Sequence, residues 1–151
     1  MRFPRLARLI ACLPPLLLAA VPAPGTAAEP ALEPCLACHG ADAPAQPVPT
    51  PLLGGQPSFF IITQLFLFRE GRRANEQMIE VAKAMSDADL RAYAGAVARL
   101  PPPAPPEGGR DPARYARGEA LAGQHKCNVC HGADLAGQQQ VPRLANQRES
   151  Y

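Results

Sequence analysis

The chain has 151 residues, of which 15 are lysine or arginine, 13 aspartate or glutamate and five cysteine, with 47% hydrophobic residues. Its formal charge of +2 rests on Arg2, Arg5 and Arg8: residues 1–28 hold these three arginines and no acid, and without them the charge is −1. That balance, with no long basic run, excludes a surface built to attract polyanions, so no nucleic-acid partner is expected.

Arg2, Arg5 and Arg8 precede an apolar stretch from Leu9 to Val21 and the small residues Gly25-Thr26-Ala27-Ala28. This order predicts a secretory signal peptide over residues 1–28 and a periplasmic mature protein. The apolar stretch is short for a membrane span and is broken by Pro14 and Pro15. Cys12 lies inside it and is expected to be lost with it. Four cysteines remain in an exported chain, where disulfides are the ordinary expectation. Their arrangement argues against that. Cys35-Leu36-Ala37-Cys38-His39 and Cys127-Asn128-Val129-Cys130-His131 are two copies of C-x-x-C-H, the short motif that attaches haem covalently. Disulfide pairing gives no reason for a histidine after each pair, zinc sites keep their two halves closer in sequence, and no βαβ context supports a thioredoxin-like motif. Two sulfurs at this spacing can meet the two vinyl groups of one porphyrin edge, and the adjacent imidazole reaches the iron. Cys35, Cys38, Cys127 and Cys130 are therefore expected thioether anchors, His39 and His131 expected axial ligands, and two haem c groups expected cofactors.

After the first motif, Ser58 to Glu70 predicts a helix bracketed by Pro57 and Gly71 and apolar nearly all round. Such a helix wants burial on most sides, against haem on one face and a partner helix on another; peripheral membrane association is the alternative. Iron in an electron carrier wants a second strong ligand, and Met78 and Met85 are the candidates. Met78 follows a polar stretch able to fold over the haem, whereas Met85 sits with Val81 and Ala82 as a core residue. Ser86-Asp87-Ala88-Asp89 predicts a capped helix start, and the prolines after Leu100 its stop. Residues 101–110, rich in proline and glycine, read as a linker between a domain at 29–100 and a partial one at 111–151. Asp111 and Pro112 open a further helix, ending at Gly123. The first motif has no such leading helix, because only Glu29 to Pro34 precede it. His125 is expected to be a solvated surface residue.

The repeat extends past the motifs. Pro51-Leu52-Leu53-Gly54-Gly55-Gln56 recurs as Pro142-Arg143-Leu144-Ala145-Asn146-Gln147, at an offset of 91 where the motifs stand 92 apart. The matching prolines could offer carbonyls to the second ring nitrogens of His39 and His131. No catalytic triad, phosphate loop or paired carboxylates are visible, so an electron carrier is expected rather than an enzyme.

These residues resemble the class I c-type cytochromes and, among them, the tandem dihaem cytochrome c4 group. C-x-x-C-H-G-A-D from Cys35, Leu53 to Gln56, Gln64-Leu65, Phe68 to Arg72, Met78 and Met85 to Leu90 carry the likeness. The resemblance implies an all-α fold of two tandem small helical haem domains, the second incomplete, with His39 and Met78 as the axial pair of the first haem. Cys127, Cys130 and His131 would serve the second. No methionine follows Cys127, and the counterpart of Met78 would fall at position 169. The expectation is a piece of a longer dihaem protein; a five-coordinate second haem, or a ligand from a partner chain, are the alternatives. The implied function is single-electron transfer between redox proteins, a membrane donor complex on one side and a terminal oxidase or reductase on the other. A haem subunit of a periplasmic dehydrogenase is the second reading, and a ligand sensor or peroxidase the third.

Overall fold

The computed structural model describes residues 29–43, 50–105, 108–109 and 111–151. The signal-peptide expectation and Cys12 lie outside them. Among the described residues six helices follow in order: α1 (Glu33–His39), α2 (Ser58–Arg69), α3 (Glu76–Ala82), α4 (Asp87–Arg99), α5 (Pro112–Gln124) and α6 (Cys127–His131). The described residues contain no strand, only an isolated bridge between Gln138 and Val141. The fold is all-α.

α4 and α5 begin where a side chain serves their free N–H groups, whereas α2 starts after Pro57 without a side-chain cap. Ser86 accepts from the Asp89 N–H and the Asp89 carboxylate accepts from the Ser86 N–H, closing a capping box at the start of α4. Asp111 caps α5 through the N–H groups of Ala113 and Arg114, at 2.9 and 3.1 Å, with Pro112 in the first turn. α5 runs through Gly123 to Gln124, one residue past the expected stop. α3 begins at the end of the polar stretch 72–77 expected to fold over the haem: Asn75 accepts from the Met78 N–H at 2.9 Å and makes the end of that stretch a helix start.

The core forms where α2 crosses α4. Ile61, Ala94 and Val97 are buried together, with Leu32, Leu53, Phe60, Ile62 and Leu65 packed around them. Ile61, Leu65 and Phe68 recur at helical spacing on α2, as do Leu90, Ala94 and Val97 on α4, so each helix turns one stripe inward. Burying an Ile, Leu or Val side chain stabilises by roughly 1.5–3 kcal/mol. α2 is covered on most sides: Phe60, Ile61, Ile62, Leu65, Leu67 and Phe68 are buried or half-buried, and of its apolar residues Phe59 and Phe66 stay exposed. Met85 is not a core residue. It lies partly exposed in the turn between α3 and α4, its carbonyl bound by Arg69 at 3.1 Å, while Ala82 takes the buried place and Val81 is exposed.

Residues 111–151 have no buried residue at all. α5 packs only on α6, and neither touches α1–α4. What joins the two halves is loop. Pro101 to Pro103 lie against the Gly54–Gly55 turn, where the Gly55 N–H donates to the Leu100 carbonyl at 3.2 Å. Gly54 has to be glycine here, since a Cβ would collide with the Pro101 carbonyl oxygen. The proline stretch is thus packed rather than free-standing. No helix among the described residues is long and apolar enough to cross a membrane.

Candidate functional site

α1 and α6 carry the two motifs. On a helix, positions i and i+3 share a face, so Cys35 and Cys38 lie together on α1, as Cys127 and Cys130 do on α6. All four thiols are free, Cys130 exposed and the others partly buried. Burial pushes the Cys35 thiol up from its ordinary range. Gly132, at φ 85°, lets the chain leave α6 in a conformation that a side chain resists.

Both histidines are held alike. His39 Nδ1 lies 2.8 Å from the Pro51 carbonyl oxygen, and His131 Nδ1 lies 2.8 Å from that of Pro142. A carbonyl only accepts, so Nδ1 carries the proton in each ring and Nε2 keeps its lone pair. The acceptors suggested by the repeat are the ones used. Burial lowers the His39 imidazole below the ordinary histidine value; the Pro51 bond opposes this and the charge of Arg148 adds to it. Burial and Arg148 thus favour the neutral, ligating form.

Arg148 comes from the other half. Its guanidinium donates to the carbonyls of Gly40 at 2.8 Å, Thr50 at 3.1 Å and Ala43 at 3.3 Å, bracing the residues just after His39 and just before Pro51. Beside it, a cavity of about 510 Å³ is lined by Leu36, His39, Leu52, Gly54 and the proline stretch. Met78 and the cysteines do not line it. Met78 stands half-buried in the first turn of α3, a helix that packs on α2 and not on α1. The structure therefore gathers three of the expected residues on each motif helix and puts Met78 on a separate element. His125 is exposed, at the C-terminal cap of α5.

Two glutamines join the halves. The turns Leu53–Gln56 and Leu144–Gln147 have the same shape, each with its third residue left-handed (Gly55 φ 66°, Asn146 φ 59°) and each closed by the glutamine N–H on the leucine carbonyl. Asn146 also donates to the Pro103 carbonyl at 2.9 Å. Gln56, 4% exposed, bonds the backbone of Arg143, and Gln147 bonds the backbone of Leu52. Neither these glutamines nor Arg148 stood out as functional in the sequence. The recurrence of glutamine at one place in both repeats was the available signal.

The donor set fits haem c: paired free thiols on one helix face, and beside them an imidazole whose Nδ1 is committed and whose Nε2 is not. The comparisons agree. Residues 115–151 match the cytochrome c family. The chain is 38% identical over 124 residues to cytochrome c4 of Thiocapsa roseopersicina, covering 78% of this chain and 64% of that protein. It is 35% identical over 141 residues to a thiosulfate dehydrogenase electron acceptor of Thiomonas intermedia (strain K12), covering 87% and 65%. The chain thus spans a little under two thirds of these relatives. The structure superposes on cytochrome c4 of Acidithiobacillus ferrooxidans with a TM-score of 0.68 and 29% identity, covering 80% of this chain and 77% of that one. A cytochrome c domain implies covalently bound haem c. The chain thus carries a cytochrome c domain at residues 115–151 and is similar in sequence and in its all-α, class I fold to cytochrome c4.

Proposed function

We propose that the chain carries two haem c groups, one on each motif helix, and passes single electrons between redox proteins in the periplasm. The observation that carries this is the repetition, in both halves, of free paired thiols and an imidazole tied through Nδ1 to a proline carbonyl. When bound, haem supplies a one-electron iron couple. Cys35 and Cys38 hold the first group by thioether links and Cys127 and Cys130 the second, while Pro51 and Pro142 fix the tilt of His39 and His131 and leave Nε2 for iron. Met78 is the second ligand of the first haem in this reading: a thioether favours ferrous iron, and Asn75 anchors its backbone in the first turn of α3. The chain divides into units at 29–100 and 111–151 with residues 101–110 between them, and residues 1–28 direct its export.

Donor and acceptor are other redox proteins, met in weak encounters of the usual redox kind. A second reading is favoured by one finding, the 35% identity with the Thiomonas electron acceptor: the chain would take electrons from a dehydrogenase as its haem subunit. A reductive titration of the purified holoprotein tests the core of the proposal. Two electron equivalents per chain are expected, with the first haem losing its sulfur-to-iron charge-transfer band in Met78→Ala. Uptake of one equivalent or none would contradict it.

A further inference from the structure

The contact between the halves repeats itself when the halves are exchanged. Gln147 Oε1 accepts from the Leu52 N–H at 2.8 Å and its Nε2 donates to the Leu52 carbonyl at 3.1 Å. Gln56 Oε1 accepts from the Arg143 N–H at 2.9 Å and its Nε2 donates to the Arg143 carbonyl at 3.1 Å. Gln56 and Gln147 are matching positions in the repeat, as are Leu52 and Arg143. The four bonds form the kind of self-complementary patch that a two-fold axis produces. Each glutamine meets a donor and an acceptor of the opposite half, and Gln147 Oε1 also accepts from the Arg148 N–H at 3.0 Å, so the orientation of each amide is fixed.

These bonds do more than hold the halves together. The Leu52 N–H belongs to the same peptide group as the Pro51 carbonyl, and that carbonyl receives His39 Nδ1–H. The Arg143 N–H likewise shares a peptide group with the Pro142 carbonyl that receives His131 Nδ1–H. A peptide group that donates through N–H gains negative charge on its oxygen and becomes a better acceptor, so bonds in series strengthen each other, by about 10–30% each. Each motif histidine is thus one peptide group away from a glutamine of the opposite half.

We propose that Gln56 and Gln147 are positioning residues that act crosswise, Gln147 on His39 and Gln56 on His131, setting the basicity and tilt of each imidazole through the intervening peptide. This rests on the reading that both histidines ligate haem iron. A stronger Nδ1–H bond makes the imidazole a stronger donor and favours ferric iron. Removing a glutamine therefore raises the ferrous-to-ferric ratio at a fixed poise, by about two- to fivefold if cooperativity has its usual size, and does so at the haem of the other half. Docking of the two halves becomes part of the tuning of each haem.

The test uses full-length holoprotein with Gln147→Leu or Gln56→Leu. The ferrous-to-ferric ratio of each haem is read by spectroelectrochemistry, and the Nδ1–H resonances of His39 and His131 by NMR of the ferrous, histidine-labelled protein. Gln147→Leu is expected to move His39 and its haem alone, and Gln56→Leu to move His131 and its haem alone. Gln147→Glu, which keeps an acceptor at the Leu52 N–H on a half-buried site, is expected to move the His39 haem the opposite way and serves if a leucine variant fails to fold. Tyr151→Phe, which cuts the 2.8 Å bond from Arg73 to Tyr151 without touching either relay, is expected to move neither. Shifts shared equally by both haems, shifts confined to the mutated half, or no shift would overturn the inference and leave the two-haem reading standing. A holoprotein with one haem or none would overturn that reading and the inference with it.

Discussion

The two halves share a motif, a histidine acceptor and a turn, and differ in the packing around them. In residues 29–100, α2, α3 and α4 bury Ile61, Phe68, Ala82, Leu90, Ala94 and Val97. In residues 111–151 nothing is buried, and Tyr115, Leu121, Val129 and Leu144 are 42–69% exposed. Yet His39 and His131 make the same 2.8 Å bond to the same proline of the repeat. Motif geometry is therefore a local property, set by a short helix, a turn and a proline within a dozen residues. A packed core is not needed to build it. What the second half lacks in core it draws from the first, through Gln56, Gln147, Arg148 and Asn146.

The comparison can be broken most directly at the cysteines. Replacing Cys35 and Cys38 with serine is expected to remove one covalent haem, leaving the pigment on Cys127 and Cys130 visible on a denaturing gel; loss of both or neither would deny the halves their independence. Core substitutions come next. Ile61→Ala is expected to cost roughly 2–5 kcal/mol in denaturant unfolding of the holoprotein, whereas Val129→Ala, at a 69% exposed site, stays within about 0.5 kcal/mol. The seam between the halves is sharpened by Arg148→Ala, which leaves three carbonyls of the first half without their donor and is expected to cost about 1.5–3 kcal/mol. Helix caps should respond alike in both halves: Ser86→Ala and Asp111→Ala are each expected to lose about 0.5–2 kcal/mol.

The smallest effect is electrostatic and belongs to the first half alone. A hydrogen bond from Arg69, and then its charge, hold the Asp87 carboxyl below its ordinary value of 3.8. A carboxyl so lowered contributes stability in full above that value and loses it as the pH falls through the folded one. The stability gap between the native chain and Arg69→Gln is expected to be constant above about pH 5 and to shrink below pH 3.8. Asp87 is 70% exposed, so the gap is small.

Much of this could be read from the residues themselves. C-x-x-C-H named the motif helices, Ser86 and Asp111 named two helix starts, and the recurring prolines named the histidine acceptors. α2 was legible as a helix covered on most sides, but not the exposure of Phe59 and Phe66, because an apolar sequence does not say which positions are left without a partner. α3 was missed because Asn75 had to be recognised as a cap before its polar neighbours read as helix. The glutamine pair stood in the repeat, but its role was not legible, for a different reason. Its meaning lies in a contact between two copies of one turn, and the fold alone brings those copies together.

The claim on which the account depends is that both C-x-x-C-H helices bind haem covalently, and the intact mass of the full chain under denaturing conditions tests it most directly. Protein matured in cells with haem-attachment machinery should carry the mass of two haems, one on each motif peptide after proteolysis. A chain of unmodified mass, or with both motif peptides bearing free thiols, would contradict it.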